Sequence, residues 1–156
     1  MGRIKAGLLV LLIIILAIQL IQPARNKSGQ VVSTDLSKTL SVPESVNGIL
    51  KKSCYDCHSN HTDYPWYTNI QPLGWWMRSH ISAGKEELNF NEFDTYSRRR
   101  QLSKLKSIAE SIEDEAMPLP SYTLMHQAAK LSKNEKTLIL NWVKNTRDSL
   151  SLNNRP

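Results

Sequence analysis

Hydrophobic and polar positions divide the chain into one continuous apolar run and a longer region with helical periodicity. The run covers residues 6–21, where fourteen of the sixteen side chains are apolar. After residue 42, apolar positions recur every three or four residues in four stretches, which is the period of an amphipathic helix. No stretch shows the apolar–polar alternation of a half-buried strand. The pattern therefore predicts an N-terminal apolar helix followed by an all-α domain.

The four amphipathic stretches predict helices over about residues 43–57, 72–84 and 98–115, and from residue 132 onward. Pro43 suits the first position of a helix, and Ser132-x-x-Glu135 has the form of a capping box. Pro118 and Pro120 prevent the third helix from continuing. The predicted core-facing stripe of the second helix consists of Leu73, Trp76, Met77, His80 and Ile81.

Composition makes the domain look short of apolar material. The chain of 156 residues is 40% hydrophobic. Residues 36–150 contain 41 apolar residues of 115, or about 36%, whereas globular domains average roughly 45–50%. We expect residues 1–25 to be a signal or membrane anchor, residues 26–35 a linker and residues 36–150 one folded domain. A buried cofactor would make up the apolar deficit of that domain.

The N-terminus has the arrangement of an export signal, with Arg3 and Lys5 before the apolar run. No small-x-small cleavage site follows, so we favour an uncleaved anchor, and a cleaved signal is the alternative. The run is slightly shorter than the roughly 17–25 residues of a span, but Ile4 and the long side chains of Lys5 and Arg25 can extend it. Basic residues before the run predict a single-pass anchor in the cell membrane, with the domain on the periplasmic or extracytoplasmic side.

The basic charge does not point to nucleic acid. The net charge is +6 and the pI is about 9.4, but part of the excess flanks the apolar run. The only dense basic run, Arg98 to Arg100, has no interleaved aromatic residues, and it is typical of a solvated helix start. We therefore predict no nucleic-acid partner.

The chemistry is concentrated in Cys54-Tyr55-Asp56-Cys57-His58, which contains both cysteines of the chain. C-x-x-C-H is the attachment signature of c-type haem: the two thiols add to the porphyrin vinyl groups, and the adjacent histidine reaches the iron. A redox-active dithiol would require a βαβ context, and a zinc site would require a second ligand pair at suitable spacing. An inert disulfide or two free thiols complete the alternatives.

The joint pattern resembles the small bacterial haem-binding domain proteins of the c-type cytochrome kind, over about residues 45–142. The matching segments begin with the haem motif and continue with Tyr64-Pro65-Trp66-Tyr67, Trp75-Trp76-x3-His80-Ile81-x2-Gly84, Met117-Pro118-Leu119-Pro120 and Leu131-Ser132-x2-Glu135-x6-Trp142. The resemblance implies a small helical domain of the c-type cytochrome kind around one covalent haem c, and an exported location.

Opposite His58, the iron has either a second protein ligand or an open site. The order of haem motif, Met-Pro and C-terminal helix resembles small c-type cytochromes, and it makes Met117 the first candidate for the distal ligand. His80, on the apolar stripe of the second helix, is the alternative. His/Met ligation would give a higher reduction potential than two imidazoles.

We expect an electron carrier rather than an enzyme, with unknown redox partner proteins and a membrane contact through residues 6–21. One haem in one small domain suits one-electron transfer. The alternatives are a peroxidase-like haem enzyme or a ligand sensor with an open sixth site, and a module that only holds haem for a partner. The sequence names neither the electron donor nor the acceptor.

Overall fold

The protein is all-α over the part of the chain that its computed structural model describes, residues 2–28 and 33–152. No strand forms within those ranges; the nearest approach is an isolated antiparallel bridge between Lys27 and His61. The α-helices are α1 Arg3–Ile18, α2 Leu36–Thr39, α3 Glu44–Ser53, α4 Tyr55–His58, α5 Leu73–Glu87, α6 Arg98–Glu113, α7 Pro120–Met125 and α8 Lys133–Leu152. Three 3-10 helices cover Trp66–Asn69, Phe90–Thr95 and Gln127–Ala129.

The N-terminal apolar run forms α1, and none of its side chains is buried. Within the described ranges, no helix combines the length and the apolar character that crossing a membrane requires. Of the segment predicted to be a linker, residues 29–32 lie outside the described residues. The part before them hydrogen-bonds to the domain, through Asn26 to Tyr64 and Ser59, and through Ser28 to Asn60.

One hydrophobic core holds the domain together, and it is built mainly from α3, α6 and α8. Each of the three helices has an apolar face that it can bury only against the others. Leu50, Leu105 and Ile139 have no exposed surface, and Phe93 from the 3-10 helix before α6 fills the centre beside them. This core fixes the positions of α3 and α6, which border the candidate site.

The long predicted helices are present. The third ends at Glu113 rather than near residue 115, and the first two differ more in their bounds. The first predicted helix is divided, because the backbone of Cys54 (φ −128°, ψ −38°) departs from helical geometry between α3 and α4. The second continues to Glu87 rather than ending near Gly84. The expected capping box is confirmed: Ser132 Oγ accepts from the Glu135 amide, and the Glu135 carboxylate accepts from the Ser132 amide at 2.9 Å.

The predicted core stripe of α5 is wrong at two positions. Met77 and Ile81 are buried as expected, but Leu73 and Trp76 are 43% and 44% exposed. The buried contact of the first turn is instead made by Gly74, where a Cβ atom would lie 2.4 Å from the Thr68 carbonyl oxygen. Gly74, Met77 and Ile81 form the buried face of α5, so Leu73 and Trp76 lie on its exposed side.

Candidate functional site

The haem-motif residues lie along one wall of an open crevice between α4, α5 and α6. The crevice comprises two adjoining cavities of about 110 and 240 Å³. Together they fall at the lower end of the range of small-molecule sites, roughly 300–1,000 Å³. The residues that line both cavities are Ser53, Cys54, His58, Glu87, Met117 and Pro118. We call this space the motif crevice.

His58 is oriented by a backbone carbonyl from a distant part of the chain. Its Nδ1 lies 2.9 Å from the carbonyl oxygen of Leu88, thirty residues later. Because a carbonyl can only accept, Nδ1 carries the proton, and Nε2 is left with the lone pair that a metal requires. Burial lowers the pKa of His58, although the carbonyls of Leu88 and Gly84 oppose that shift. The imidazole is therefore neutral at pH 7, as a metal ligand must be.

The pKa values of the two thiols are raised, which is the opposite of what a redox-active pair needs. Burial, and then the neighbouring Cys57, raise the pKa of Cys54 to about 12. Burial and the Asp56 carboxylate raise the pKa of Cys57 to about 11. Dithiol enzymes need a lowered thiol pKa to supply thiolate, so the opposite shift disfavours that alternative. No group of three or more His, Cys, Asp and Glu side chains suited to a metal ion occurs among residues 2–28 and 33–152.

Each of the two spacer residues of the motif is held by a different part of the fold. Tyr55 stacks on Phe90 with ring centroids 4.9 Å apart, and its hydroxyl donates to the buried Asp35 carboxylate at 3.2 Å. Asp56 accepts a 2.5 Å hydrogen bond from the Tyr122 hydroxyl. The first contact fixes the motif to the core. The second joins it to α7, which follows residues 114–119; we call this segment the Met117 loop.

The Met117 loop forms the opposite side of the crevice. Helix α6 ends at Glu113, Glu115 then adopts a left-handed conformation (φ 56°), and the Met117 amide donates to the Ser111 carbonyl at 3.0 Å. This C-terminal turn of α6 reverses the chain and brings Met117 to both cavities. The Met117 side chain is 36% exposed.

The structure brings all five predicted site residues to the motif crevice, three of them to both cavities and two to the second cavity only. Cys54, His58 and Met117 line both cavities, and Cys57 lines the second. His80 also lines only the second, and its ring packs edge-on against Trp76 at 4.5 Å. Which of Met117 and His80 binds the iron stays a prediction.

Sequence reasoning missed a charged pair at the first cavity. Lys104 from α6 makes an ion pair with Glu87 at the end of α5, and both residues line the cavity. The hydrogen bond from Lys104 lowers the pKa of Glu87. No local motif predicts this pair, because seventeen residues separate its members and each looks like an ordinary solvated charge in the sequence.

The residues present fit a haem group. The crevice offers a neutral imidazole, two thiols and apolar walls that include Ile108 and Leu131. The hydroxyl oxygen of Ser53, which also lines the crevice, is buried without a hydrogen-bond partner among the described residues. Such an atom costs about 1–3 kcal/mol unless a bound group compensates for it.

Comparison with known proteins gives one match. A family model described as a haem-binding domain matches residues 13–145, which is most of the chain. The searches of curated proteins and of solved structures found no significant match.

Proposed function

The chain belongs to the haem-binding domain family, and on that premise we propose that it is a mono-haem c-type electron carrier. Cys54 and Cys57 attach one haem through thioether bonds, and His58 Nε2 binds its iron. The observation that carries the proposal is the Leu88 carbonyl, which fixes the proton of His58 on Nδ1 and leaves Nε2 available, in a crevice shared with both thiols. When bound, the haem supplies the one-electron chemistry. The protein tunes the reduction potential of the haem and shields the haem from solvent.

Met117 is the proposed distal ligand. Its loop borders both halves of the motif crevice, whereas His80 reaches only one. The His80 ring is also engaged with Trp76, which gives it a packing role that does not involve iron. A thioether favours ferrous iron and raises the reduction potential, so Met117 would suit a carrier rather than a site that binds small ligands.

Lys104 is proposed to compensate haem propionate charge. It lines the first cavity and already binds a carboxylate, that of Glu87. A propionate and Glu87 would then share one cation. Shielding of the propionate charge is one of the ways in which a protein tunes the reduction potential of a haem.

The absorption spectrum tests the proposed haem chemistry. After co-expression with haem-attachment machinery, a haemochrome assay should detect one covalent haem per chain, and Cys54→Ser with Cys57→Ser should abolish it. Met117→Ala should convert a six-coordinate low-spin spectrum to a high-spin or altered low-spin form. Met125→Ala is the matched control, because Met125 lines neither cavity of the motif crevice.

Two outcomes would contradict this assignment. If Met117→Ala leaves the spectrum unchanged while His80→Ala alters it, His80 is the distal ligand. If carbon monoxide binds at once to the resting ferrous protein, the sixth site is open, and the enzyme or sensor alternative replaces the carrier.

The second part of the proposal concerns location. We propose that residues 6–21 anchor the protein in the cytoplasmic membrane, with Arg3 and Lys5 inside and the domain on the outer face. Support comes from α1, which exposes apolar side chains along its whole length and buries none of them. Redox partner proteins would then meet the domain at that surface.

Membrane flotation and the mass of the mature chain test the location. The full chain should float with lipid and retain its N-terminus. Ile13→Lys should prevent flotation because a charge in the middle of the run is costly in lipid, and Ile13→Leu is the matched control. A mature chain that begins after residue 21 would establish the cleaved-signal alternative.

A further inference from the structure

An exposed apolar surface surrounds the point at which the chain leaves α1. Its side chains range from 43% exposed at Leu73 to 75% exposed at Trp66. Exposed apolar side chains scattered singly need no explanation, but a contiguous group marks an interaction surface. We call this group the apolar patch, and its members are Trp66, Ile70, Leu73, Trp76, Leu124 and Met125.

The members of the apolar patch are neighbours in space. Leu73 and Trp76 are one helical turn apart on α5. Ile70 is joined to the start of α5 by the Gly74 amide, which donates to the Ile70 carbonyl at 3.1 Å. Trp76 and Met125 border one small cavity together with Tyr67. Trp66 meets the Tyr67 ring edge-on at 6.1 Å. The patch therefore extends from the 3-10 helix at Trp66, across the start of α5, to the end of α7.

Hydrogen bonds connect α1 directly to this surface. Gln19, the residue after α1, makes two with Gln71: its Oε1 accepts from the Gln71 amide at 2.9 Å, and its Nε2 donates to the Gln71 carbonyl at 3.2 Å. The indole of Trp75 donates to the Ile21 carbonyl at 2.8 Å. The end of α1 is thus held between Ile70 and Trp76, beside the patch rather than at the end of a free tether.

We propose that the apolar patch lies against the lipid surface and fixes the orientation of the haem domain on the membrane. The proposal rests on the membrane location proposed above for residues 6–21. The patch is continuous with the end of α1, so a bilayer that holds α1 reaches the patch as well. Two of its six residues are tryptophans, whose amphipathic rings favour the membrane–water interface.

This contact would set the height of the motif crevice above the membrane. Trp76 packs against His80, and His80 lines the crevice. One helix, α5, thus presents its exposed side to lipid and another side to the crevice. The haem would face the interior of the domain at a fixed distance from lipid. Partner proteins would approach the haem from the sides of the domain that do not face the membrane.

Thiol accessibility in the full-length holoprotein tests the proposal. Thioether attachment consumes Cys54 and Cys57, so an introduced cysteine is the only free thiol, and the parent chain reports the background. Ile70→Cys and Leu73→Cys are compared with Ser103→Cys, at an exposed position of α6, using a water-soluble maleimide. The protein is reconstituted in protein-free phosphatidylcholine vesicles at two protein-to-lipid ratios.

The expected result is labelling several-fold slower at both patch positions than at Ser103→Cys, with the same ratio at both protein densities. Equal labelling at the three positions in protein that floats with the vesicles would overturn the proposal while leaving the anchor intact. Protection that appears only at high protein density would show that a second copy covers the patch, which also overturns it. Failure to float would instead refute the proposed anchor, so the two failures are distinguishable.

Discussion

At Gly84, helix α5 lies close to α4, which carries Cys57 and His58 and is called the motif helix. A Cβ atom on Gly84 would lie 2.8 Å from the Cys57 carbonyl oxygen and 3.3 Å from its Cβ. Backbone cannot move aside as the end of a flexible side chain can, so α4 and α5 would have to separate. The absence of a side chain at this position therefore sets the distance between Cys57 and the wall of the crevice.

Gly84→Ala should destabilise the protein by about 1–3 kcal/mol, the usual cost of overpacking, and should shift the haem absorption spectrum. Gly48→Ala is a matched control, because Gly48 is also helical but a Cβ there meets nothing within 4 Å. That change should stabilise α3 by roughly 0.5–1 kcal/mol. Urea unfolding of both variants measures the difference, and a Gly84→Ala protein as stable as the parent would contradict the account.

The sequence predicts the motif residues but not the contacts that orient them. Cys54, Cys57 and His58 are identifiable because their spacing is local and chemically specific. The carbonyl that orients His58 belongs to Leu88, and any residue type could supply it. The Asp56–Tyr122 bond joins residues that are 66 positions apart, and no local pattern encodes such a pairing.

At the scale of elements, α7 is joined to the motif helix by the Tyr122–Asp56 hydrogen bond. The Met117 loop lies between α6 and α7, so this bond restrains its far end. Tyr122 also stacks on His126 with centroids 4.2 Å apart, and His126 lies 3.3 Å from the Tyr67 hydroxyl. The loop that carries the proposed distal ligand is therefore restrained at both ends.

Tyr122→Phe should loosen this loop while keeping the ring in place. We expect a loss of about 1.5–3 kcal/mol, since the hydrogen bond has a charged acceptor, and tighter binding of added imidazole to the ferric protein. Tyr64→Phe is the control, because it loses a hydrogen bond to Asn26 that lies away from the crevice. Equal imidazole affinity in both variants would show that Tyr122 does not restrain the loop.

The start of α8 is stabilised by a charge as well as by its capping box. Lys52 lies 2.5 Å from Glu135, and this hydrogen bond, followed by those from Ser132, lowers the pKa of Glu135 to about 2. A carboxyl with a lowered folded-state pKa contributes stability above its ordinary pKa of 4.5. That contribution is lost as the pH falls from 4.5 toward 2.

Glu135→Gln should therefore reduce stability at pH 7 by at most about 1 kcal/mol, the range of partly exposed pairs, and progressively less below pH 4.5. Glutamine retains the capping geometry, so the change isolates the charge. Lys52→Gln should give the same loss at pH 7, and the double variant should lose no more than either. Denaturant unfolding at pH 7, 4 and 2.5 measures these differences; a loss independent of pH would refute the electrostatic account.

Periodicity predicted the long helices well but did not predict isolated short ones such as α2. Helices α3, α5, α6 and α8 each bury one face, so each leaves a repeating signal. A helix of four residues is too short to show a period of its own, and α4 was predicted only as the end of the first long helix. Periodicity also identifies an apolar face without stating what covers it, which is why Leu73 and Trp76 were assigned to the core although they lie in the apolar patch.

At the scale of the whole molecule, the core lies to one side of the motif crevice. The continuous apolar cluster joins α3, α6 and α8. Met117 and the loop around it lie on the other side of the crevice. We therefore assign the apolar deficit of the composition to the Met117 side of the crevice. A haem in the crevice would supply the apolar surface that this side lacks.

Haem attachment should accordingly order the Met117 loop and α7 more than α8. The variant with Cys54→Ser and Cys57→Ser, made without covalent haem, should melt about 5 °C lower or more, which in a domain of this size corresponds to roughly 1–2 kcal/mol. Its hydrogen exchange should rise most over residues 116–126. A variant that melts as cooperatively and at the same temperature as the holoprotein would contradict this view.

The raised thiol pKa values have a consequence for the maturation of the protein. Disulfide exchange proceeds through the thiolate, and thiols with pKa values of about 12 and 11 are almost fully protonated at neutral pH. A folded chain that reaches an oxidising compartment ahead of its cofactor would thus close the Cys54–Cys57 disulfide slowly. By slowing thiol oxidation, burial would keep the two cysteines reduced until the haem is attached.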